Sequence, residues 1–202
     1  MGRRIPKIAY STLLAPPHRC GEFLPPHQFI IGLVALLTTD NSLSRKFINS
    51  LVVVTEEIRK LGIKWVIVGS ASLALQGVQV RPQDIDILTT RGGADAINAQ
   101  LKEYETKEVR CRRSALFQSH LGDFEVHGVK VQVMGQLKVK IRSRWVSLMP
   151  RLRNPRMLHL QGHIFPVTPV RRQLETYKAL ARRKSKSKVK KIKEFLATRA
   201  WH

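Results

Sequence analysis

The chain has 202 residues, which is enough for one domain, or for one domain with a small appendage. Its two cysteines have no metal-binding spacing and form no disulfide framework, so the composition excludes a disulfide-stapled secreted domain and indicates the reducing cytoplasm. Lysine and arginine number 36 against 14 acidic residues, and the net charge of +22 favours a polyanionic partner.

The basic residues are concentrated towards the C-terminus. Residues 138–202 hold 19 basic and 2 acidic residues, whereas residues 1–137 hold 17 and 12. This distribution favours nucleic acid as a partner, with RNA the expected form, although it also fits a basic surface that only aids solubility. Aromatic residues are sparse in the basic region, so contact with the phosphate backbone is expected rather than base stacking.

Residues 1–40 fit poorly with the rest of the chain. They contain two proline pairs and one apolar run, Phe29–Leu37, which is too short to span a membrane. Three interpretations stay open: a disordered arm, a weak export signal, and a misassigned start. We therefore divide the chain into an N-terminal arm (1–40), a core (41–165) and a basic C-terminal helical segment (166–202).

The core begins with an amphipathic helix. Apolar residues recur at helical spacing from Phe47 to Leu61, Ser42 or Ser44 provides an N-cap, and Gly62 ends the helix. The pattern then predicts the following elements in chain order: strand Trp65–Val68, helix Ser70–Leu75, strand Asp84–Leu88, a helix after Gly92, strand Lys107–Cys111, hairpin strands Asp123–Val126 and Val129–Val133, strands Leu137–Ile141 and Trp145–Leu148, a loop from Arg151 to Gly162, a helix capped by Thr168 and ending at Ala181, a flexible joint Lys184–Lys188, and a helix Lys186–Ala197.

The segment from Trp65 to Leu88 carries the candidate chemistry. Asp84 and Asp86 are two residues apart on a strand, so both carboxylates project from one face and suit a Mg²⁺ ion. Gly69 and Ser70 open a helix, whose free N–H groups can hold a phosphate. A phosphate cradle beside a carboxylate pair predicts a nucleotide site.

These motifs resemble those of the DNA polymerase beta-like nucleotidyltransferase superfamily, and more narrowly the small prokaryotic nucleotidyltransferases of the minimal or abortive-infection type. The resemblance runs from about Phe47 to Leu196 and includes Gly128–Gly135, Trp145–Met149 and Pro169–Tyr177. It implies an α/β (α+β) fold with a small mixed sheet, helices on one side of that sheet, and a basic C-terminal helical tail. It also implies two Mg²⁺ ions, bound by Asp84 and Asp86.

The family places a third acid where this chain has Gln132. Glutamine is a neutral ligand and cannot act as a base, which puts catalysis in question. In a two-residue hairpin with His127 and Gly128 at the turn, Asp123 pairs with Gln132 and Glu125 pairs with Lys130. Asp123 or Glu125 is therefore a candidate replacement ligand, and an ordinary exposed salt pair is the competing interpretation.

The expected function is transfer of a nucleotide from a nucleoside triphosphate to a hydroxyl group, with RNA as the expected acceptor. Arg81 is a candidate triphosphate contact or a plain exposed loop charge. The alternative is a catalytically degenerate protein of the same fold that binds nucleotide or RNA. A further alternative is a toxin–antitoxin protein, which binds a small helical partner.

Overall fold

The computed structural model describes residues 43–180 and 183–198. The predicted N-terminal arm, Ser42 and Ala181 lie outside these residues. The described helices are α1 (Arg45–Lys60), α2 (Gly69–Leu75), α3 (Arg91–Gln100), α4 (Val170–Leu180) and α5 (Arg183–Thr198). The described strands are β1 (Trp65–Val68), β2 (Asp84–Thr89), β3 (Glu105–Arg113), β4 (Phe117–Val126), β5 (Val129–Ile141), β6 (Arg144–Ser147), β7 (Arg156–Leu160) and β8 (His163–Val167). None of the helices in these ranges is long and apolar enough to cross a membrane.

The strands form one mixed sheet in the order β3-β4-β5-β2-β1-β8-β7, and β6 pairs with β5 beside this path. Strands β2 and β5 are parallel, as are β1 and β8, while the other neighbours are antiparallel. The predicted class, a mixed sheet with flanking helices, is confirmed. The sheet has eight strands in the described part of the chain and is larger than expected.

Helix α1 forms as the sequence pattern predicts. The Ser44 hydroxyl accepts a hydrogen bond of 3.2 Å from the backbone N–H of Phe47, which satisfies one of the free donors at the helix start. Its apolar face buries Phe47, Leu51 and Ile58 against the sheet. Burying these side chains stabilises the fold by about 1.5–3 kcal/mol each.

Helices cover both faces of the sheet, which corrects the expectation of helices on one side only. Ile85 and Ile87 of β2 pack in the same buried cluster as residues of α1 and α3. Leu88, which points the other way, packs in a second cluster that includes Leu180 of α4. Because side chains alternate along a strand, the carboxylates of β2 share the α4 face of the sheet.

Two predicted elements in the second half of the sheet differ in the structure. The segment expected to be a loop, 151–162, contains a short 3₁₀ turn and strand β7, which forms a hairpin with β8 through Gln161 and Gly162. Strand β7 lies at the sheet edge and is largely exposed, so its residues lack the alternation of a half-buried strand. The strand expected at Leu137–Ile141 continues from Val129 as one long strand.

The C-terminal helices also differ from the prediction. Thr168 does not cap α4, because its buried hydroxyl has no hydrogen-bond partner. The expected joint Lys184–Lys188 belongs to α5, where Ser185 is buried. Leu73 of α2 and Ile192 of α5 lie in the same buried cluster. Burial of this face stabilises a helix that the charge run alone would leave as a solvated segment.

Candidate nucleotide site

The site begins where β1 ends. Strand β1 pairs with β2 so that Val68 lies opposite Asp86, and Gly69 follows with a φ of +68°. A Cβ atom at Gly69 would lie 2.2 Å from Oδ2 of Asp86. Only glycine permits both the positive φ and this close approach of the backbone to the carboxylate. The predicted neighbourhood of Gly69 and the carboxylate strand is therefore present in the structure.

Ser70 follows in the first turn of α2 and is 8% exposed. Its hydroxyl makes no hydrogen bond to any residue that the structure describes. The side chain therefore retains its donor for a ligand at this end of the sheet.

Asp84 and Asp86 project together from β2, and both are partly exposed. Burial and the charge of Asp84 raise the pKa of Asp86 to about 7, although Lys188 and Lys130 act in the opposite direction. Asp86 has no hydrogen-bond partner within the described ranges. Two adjacent carboxylates with this electrostatic strain fit a divalent cation, which would remove the repulsion between them.

Three strands carry a row of polar side chains across the site. Gln132 of β5 lies opposite Asp86 on one side and opposite Asp123 of β4 on the other. The same registers put Lys130 between Asp84 and Glu125. The two-residue turn at His127 and Gly128 fixes the pairing of β4 with β5, as predicted, with φ of +49° and +67°.

The side chain of Gln132 is hydrogen-bonded to Asp123. Its Nε2 donates a hydrogen bond of 2.9 Å to Oδ1 of Asp123, while Nζ of Lys130 and Nζ of Lys107 lie 3.4 and 3.6 Å from Oδ2. Burial opposes the charge on Asp123, but the bond from Gln132 and the charge of Lys130 outweigh it and lower the pKa of this carboxyl. Asp123 is thus ionised, and the positive charges of Lys130 and Lys107 balance its negative charge.

The structure does not bring Asp123 or Glu125 into a cluster with Asp84 and Asp86. Within the described ranges, no three His, Cys, Asp or Glu side chains form a group that could hold a metal ion. Asp123 is two strands from Asp86, and neighbouring strands are about 4.8 Å apart, so their Cα atoms are about 10 Å apart. Glu125 is exposed, and Lys130 contacts Asp123 instead of Glu125. Asp123 contacts Gln132, Lys130 and Lys107, and the expected Glu125–Lys130 salt pair is absent; a replacement metal ligand stays a prediction.

Mg²⁺ does not require a third protein carboxylate. It is held in many phosphate-transfer sites by one or two carboxylates, with substrate phosphates and water completing the shell. Asp84 and Asp86 match that donor set, and Gly69 and Ser70 are placed beside them.

Two residues of the C-terminal helices join the site and were not predicted as functional. Tyr177 of α4 is partly buried; burial and the charges of Asp86 and Asp84 raise its pKa. Nζ of Lys188, on α5, lies 5.4 Å from the centre of the Tyr177 ring. A sequence signal exists for Lys188: it falls on the buried stripe formed by Ser185, Ile192 and Leu196, at helical spacing.

Arg81, the remaining predicted contact, lies in the loop before β2. It is exposed and makes no hydrogen bond or ion pair with the described residues. No hydrogen bond or ion pair with the described residues therefore holds the Arg81 side chain in place, and Arg81 does not belong to the row of polar residues on β2, β5 and β4.

A small apolar cavity of about 120 Å³ adjoins the site between the sheet and α4. Gly69, Leu88 and Tyr177 contribute to its wall, together with Arg151. Nε of Arg151 is buried without a hydrogen-bond partner, and burial lowers the pKa of its guanidinium group. The space between the sheet and α4 beside Gly69 is thus mainly apolar.

Two solved structures described as nucleotidyltransferases are similar to this chain, one in fold and sequence and the other in fold alone. A Thermotoga maritima protein described as a nucleotidyltransferase is 27% identical in sequence and superposes with a TM-score of 0.67, covering 79% of this chain and 98% of its own. The lincosamide antibiotic adenylyltransferase LnuA, in its lincomycin-bound form, shares 13% identity and the fold, with a TM-score of 0.50 over 76% of this chain and 98% of its own. No curated protein sequence matches the chain significantly.

The family model described as aminoglycoside-2''-adenylyltransferase matches residues 50–192. This range contains every predicted site residue, from Gly69 to Gln132, as well as Tyr177 and Lys188. The nucleotidyltransferase prediction is confirmed at the level of the family. The chain belongs to the aminoglycoside-2''-adenylyltransferase family of nucleotidyltransferases.

Proposed function

We propose that this protein is a Mg²⁺-dependent nucleotidyltransferase that moves a nucleotide from a nucleoside triphosphate onto a hydroxyl group of RNA. The observation that supports it most is the contact between the backbone at Gly69 and the carboxylate of Asp86. A phosphate bound at Gly69 and Ser70 would lie directly beside the carboxylate pair. A residue other than glycine at position 69 would remove that proximity.

The roles of the residues follow from their positions. Asp84 and Asp86 would hold Mg²⁺, which would supply positive charge to offset that of the phosphates. Gly69 N–H and Ser70 Oγ contact the terminal phosphates. Lys188, which already acts on Asp86 electrostatically, adds positive charge on the α5 side.

The reaction forms one bond and breaks one bond. The acceptor oxygen attacks the α-phosphorus, the bond from that phosphorus to the pyrophosphate oxygen breaks, and pyrophosphate leaves. Gln132 cannot accept the hydroxyl proton, and Asp123 is occupied by Gln132, Lys130 and Lys107. The proton therefore passes to solvent, and transfer is slower than in a site with three acids.

Charge supports RNA as the acceptor. Helix α5 alone carries seven lysine or arginine residues against one glutamate. Aminoglycosides are polycations, which such a surface repels. An RNA chain is drawn to it and is released by salt.

A second candidate, an antibiotic acceptor, is favoured by the family match. A third candidate, a nucleotide- or RNA-binding protein without turnover, is favoured by the neutral Gln132 at the third position.

An acceptor panel separates the three candidates. The purified protein is incubated with Mg²⁺ and α-phosphate-labelled nucleoside triphosphates, and with cellular RNA, an aminoglycoside or a lincosamide. Label on RNA alone supports the proposal, and label on an antibiotic alone assigns the second candidate. No label, with nucleotide and RNA still bound, assigns the third. The double variant Asp84→Asn, Asp86→Asn controls for contaminating activity.

A further inference from the structure

A second and larger groove lies at the opposite end of the central strands from the carboxylates. It has a volume of about 960 Å³, near the upper end of the range for ligand sites. Trp65 and Thr90 line it, whereas Gly69 and Asp84 lie at the other end of β1 and β2. Four residues of extended chain separate Asp86 from Thr90, which is about 13 Å. The groove is therefore distinct from the nucleotide site.

The charged lining of the groove is entirely basic. Lys64, Arg91 and Arg153 contribute to it, and no aspartate or glutamate does. All three side chains are exposed, and none forms an ion pair within the described residues.

Some basic residues elsewhere on the surface have carboxylate neighbours, whereas others, such as Arg45, Lys140 and Arg144, are unpaired within the described ranges but do not line this groove. Ion pairs join Arg59 to Glu56, Lys60 to Glu57, Lys102 to Glu105, and Arg110 to Glu108. These pairs weaken the local field, while the three cations of the groove have no such counter-charge. Unpaired cations around a concave surface focus a positive potential and attract an anionic ligand.

The rest of the lining is mostly apolar, with Thr90, Gln136 and Asn154 as its polar members, and it includes Trp65. Trp65 is half-buried, and Met157 is 51% exposed, the largest exposed fraction among the bulky apolar residues of the described chain. Met149 and Leu152 extend this surface. Trp65 packs partly against the core, and the cations beside the exposed part of this residue match the two features of a single-stranded nucleic acid, its phosphates and its bases.

We infer that this groove, which we call the basic groove (Lys64, Trp65, Arg91 and Arg153), binds single-stranded RNA. Lys64, Arg91 and Arg153 contact phosphates, and Trp65 contacts a base. The inference rests on the proposed RNA acceptor, since one RNA chain long enough to cover about 13 Å reaches both the groove and the carboxylates. An acidic peptide would use the cations but not the indole ring.

Binding of a fluorescein-labelled single-stranded oligoribonucleotide tests the inference without turnover. The affinity is measured by fluorescence anisotropy between about 50 and 200 mM salt for the wild type and for the variant Lys64→Ala, Arg91→Ala, Arg153→Ala. The control variant Arg45→Ala, Lys140→Ala, Arg144→Ala removes the same charge from exposed cations that are unpaired within the described ranges and do not line the groove.

The groove variant is expected to lose about 2 units of the slope of log affinity against log salt, because each single-strand phosphate contact contributes about 0.7. The control is expected to keep most of the slope. Equal slopes for the two variants overturn the inference. Groove-dependent binding of polyglutamate as tight as that of RNA also overturns it, in favour of an acidic protein partner.

Tryptophan fluorescence provides a second readout that needs no change to the cations. The chain has three tryptophans, and the double variant Trp145→Phe, Trp201→Phe leaves Trp65 as the only one. RNA is expected to quench it, and high salt is expected to reverse the quenching. Unchanged fluorescence at saturating RNA contradicts the inference. The carboxylates take no part in either assay. If RNA binds at the groove but no nucleotide is transferred, the proposed function fails and this inference holds.

Discussion

Substitution of Gly69 by alanine tests the geometry at the centre of the candidate site. The new Cβ would lie 2.2 Å from Oδ2 of Asp86, about 1 Å closer than a carbon and an oxygen can approach, so the carboxylate must move by about that distance. The residue would also have to adopt a φ of +68°, which costs a non-glycine residue about 1–2 kcal/mol. A displacement of 1 Å at a reacting centre lowers the rate by about 100-fold.

Gly62→Ala is the matched control. Gly62 has a φ of +62°, but a Cβ there has no neighbour within 4 Å. Both variants are expected to lose stability from backbone strain in thermal unfolding. Only Gly69→Ala is expected to lose turnover in the label-transfer assay as well. If the two variants have the same turnover, the contact between Gly69 and Asp86 has no part in the reaction.

Three further predictions concern the carboxylates and the packing behind them. Without metal, the pKa of Asp86 is raised, so its stabilising contribution is present when it is protonated and is lost as the pH rises from about 4 through 7. The melting temperature of Asp86→Asn relative to the wild type should therefore rise between pH 5 and pH 8, and parallel pH curves would contradict this. Gln132→Asp adds a carboxylate between Asp86 and Asp123. Because the added charge repels its neighbours, the metal-free variant should melt at a lower temperature than the wild type. Mg²⁺ should restore the melting temperature of the variant and increase its turnover. A neutral or harmful effect with Mg²⁺ would show that position 132 is not the third metal position. Ser72→Ala removes a buried hydroxyl that donates a hydrogen bond to the backbone oxygen of Thr168 and accepts one from Gln173. The free energy of unfolding should fall by about 1–3 kcal/mol, and a loss under about 0.5 kcal/mol would refute this role.

The sequence was sufficient for the local features that place the carboxylates. Ile85 and Ile87 alternate with Asp84 and Asp86 along the strand, so burial of the isoleucines determines which face of the sheet the carboxylates occupy. The turn at Gly128 determines the register that pairs Gln132 with Asp123. Both depend on the two-residue period of a strand or on the geometry of a two-residue turn. Such rules act over a few residues and do not require knowledge of the rest of the fold.

The sequence was insufficient where distant segments meet. Lys188 reaches the site only because α5 packs its buried stripe against α2, and a run of lysines gives no direct indication of that contact. The β7–β8 hairpin was missed because its edge strand is largely exposed. Thr168 looked like a helix cap, but its backbone oxygen instead accepts hydrogen bonds from Ser72 and Gln76.

Transfer of a labelled nucleotide by the wild type and by Asp84→Asn is the most direct test of the account. Asp84 carries one of the two carboxylates proposed to bind Mg²⁺, and asparagine keeps its shape without its charge. We expect Mg²⁺-dependent labelling of RNA by the wild type and its loss in a folded Asp84→Asn protein. Equal labelling by both proteins would contradict the assignment of the carboxylate pair as the centre of the reaction.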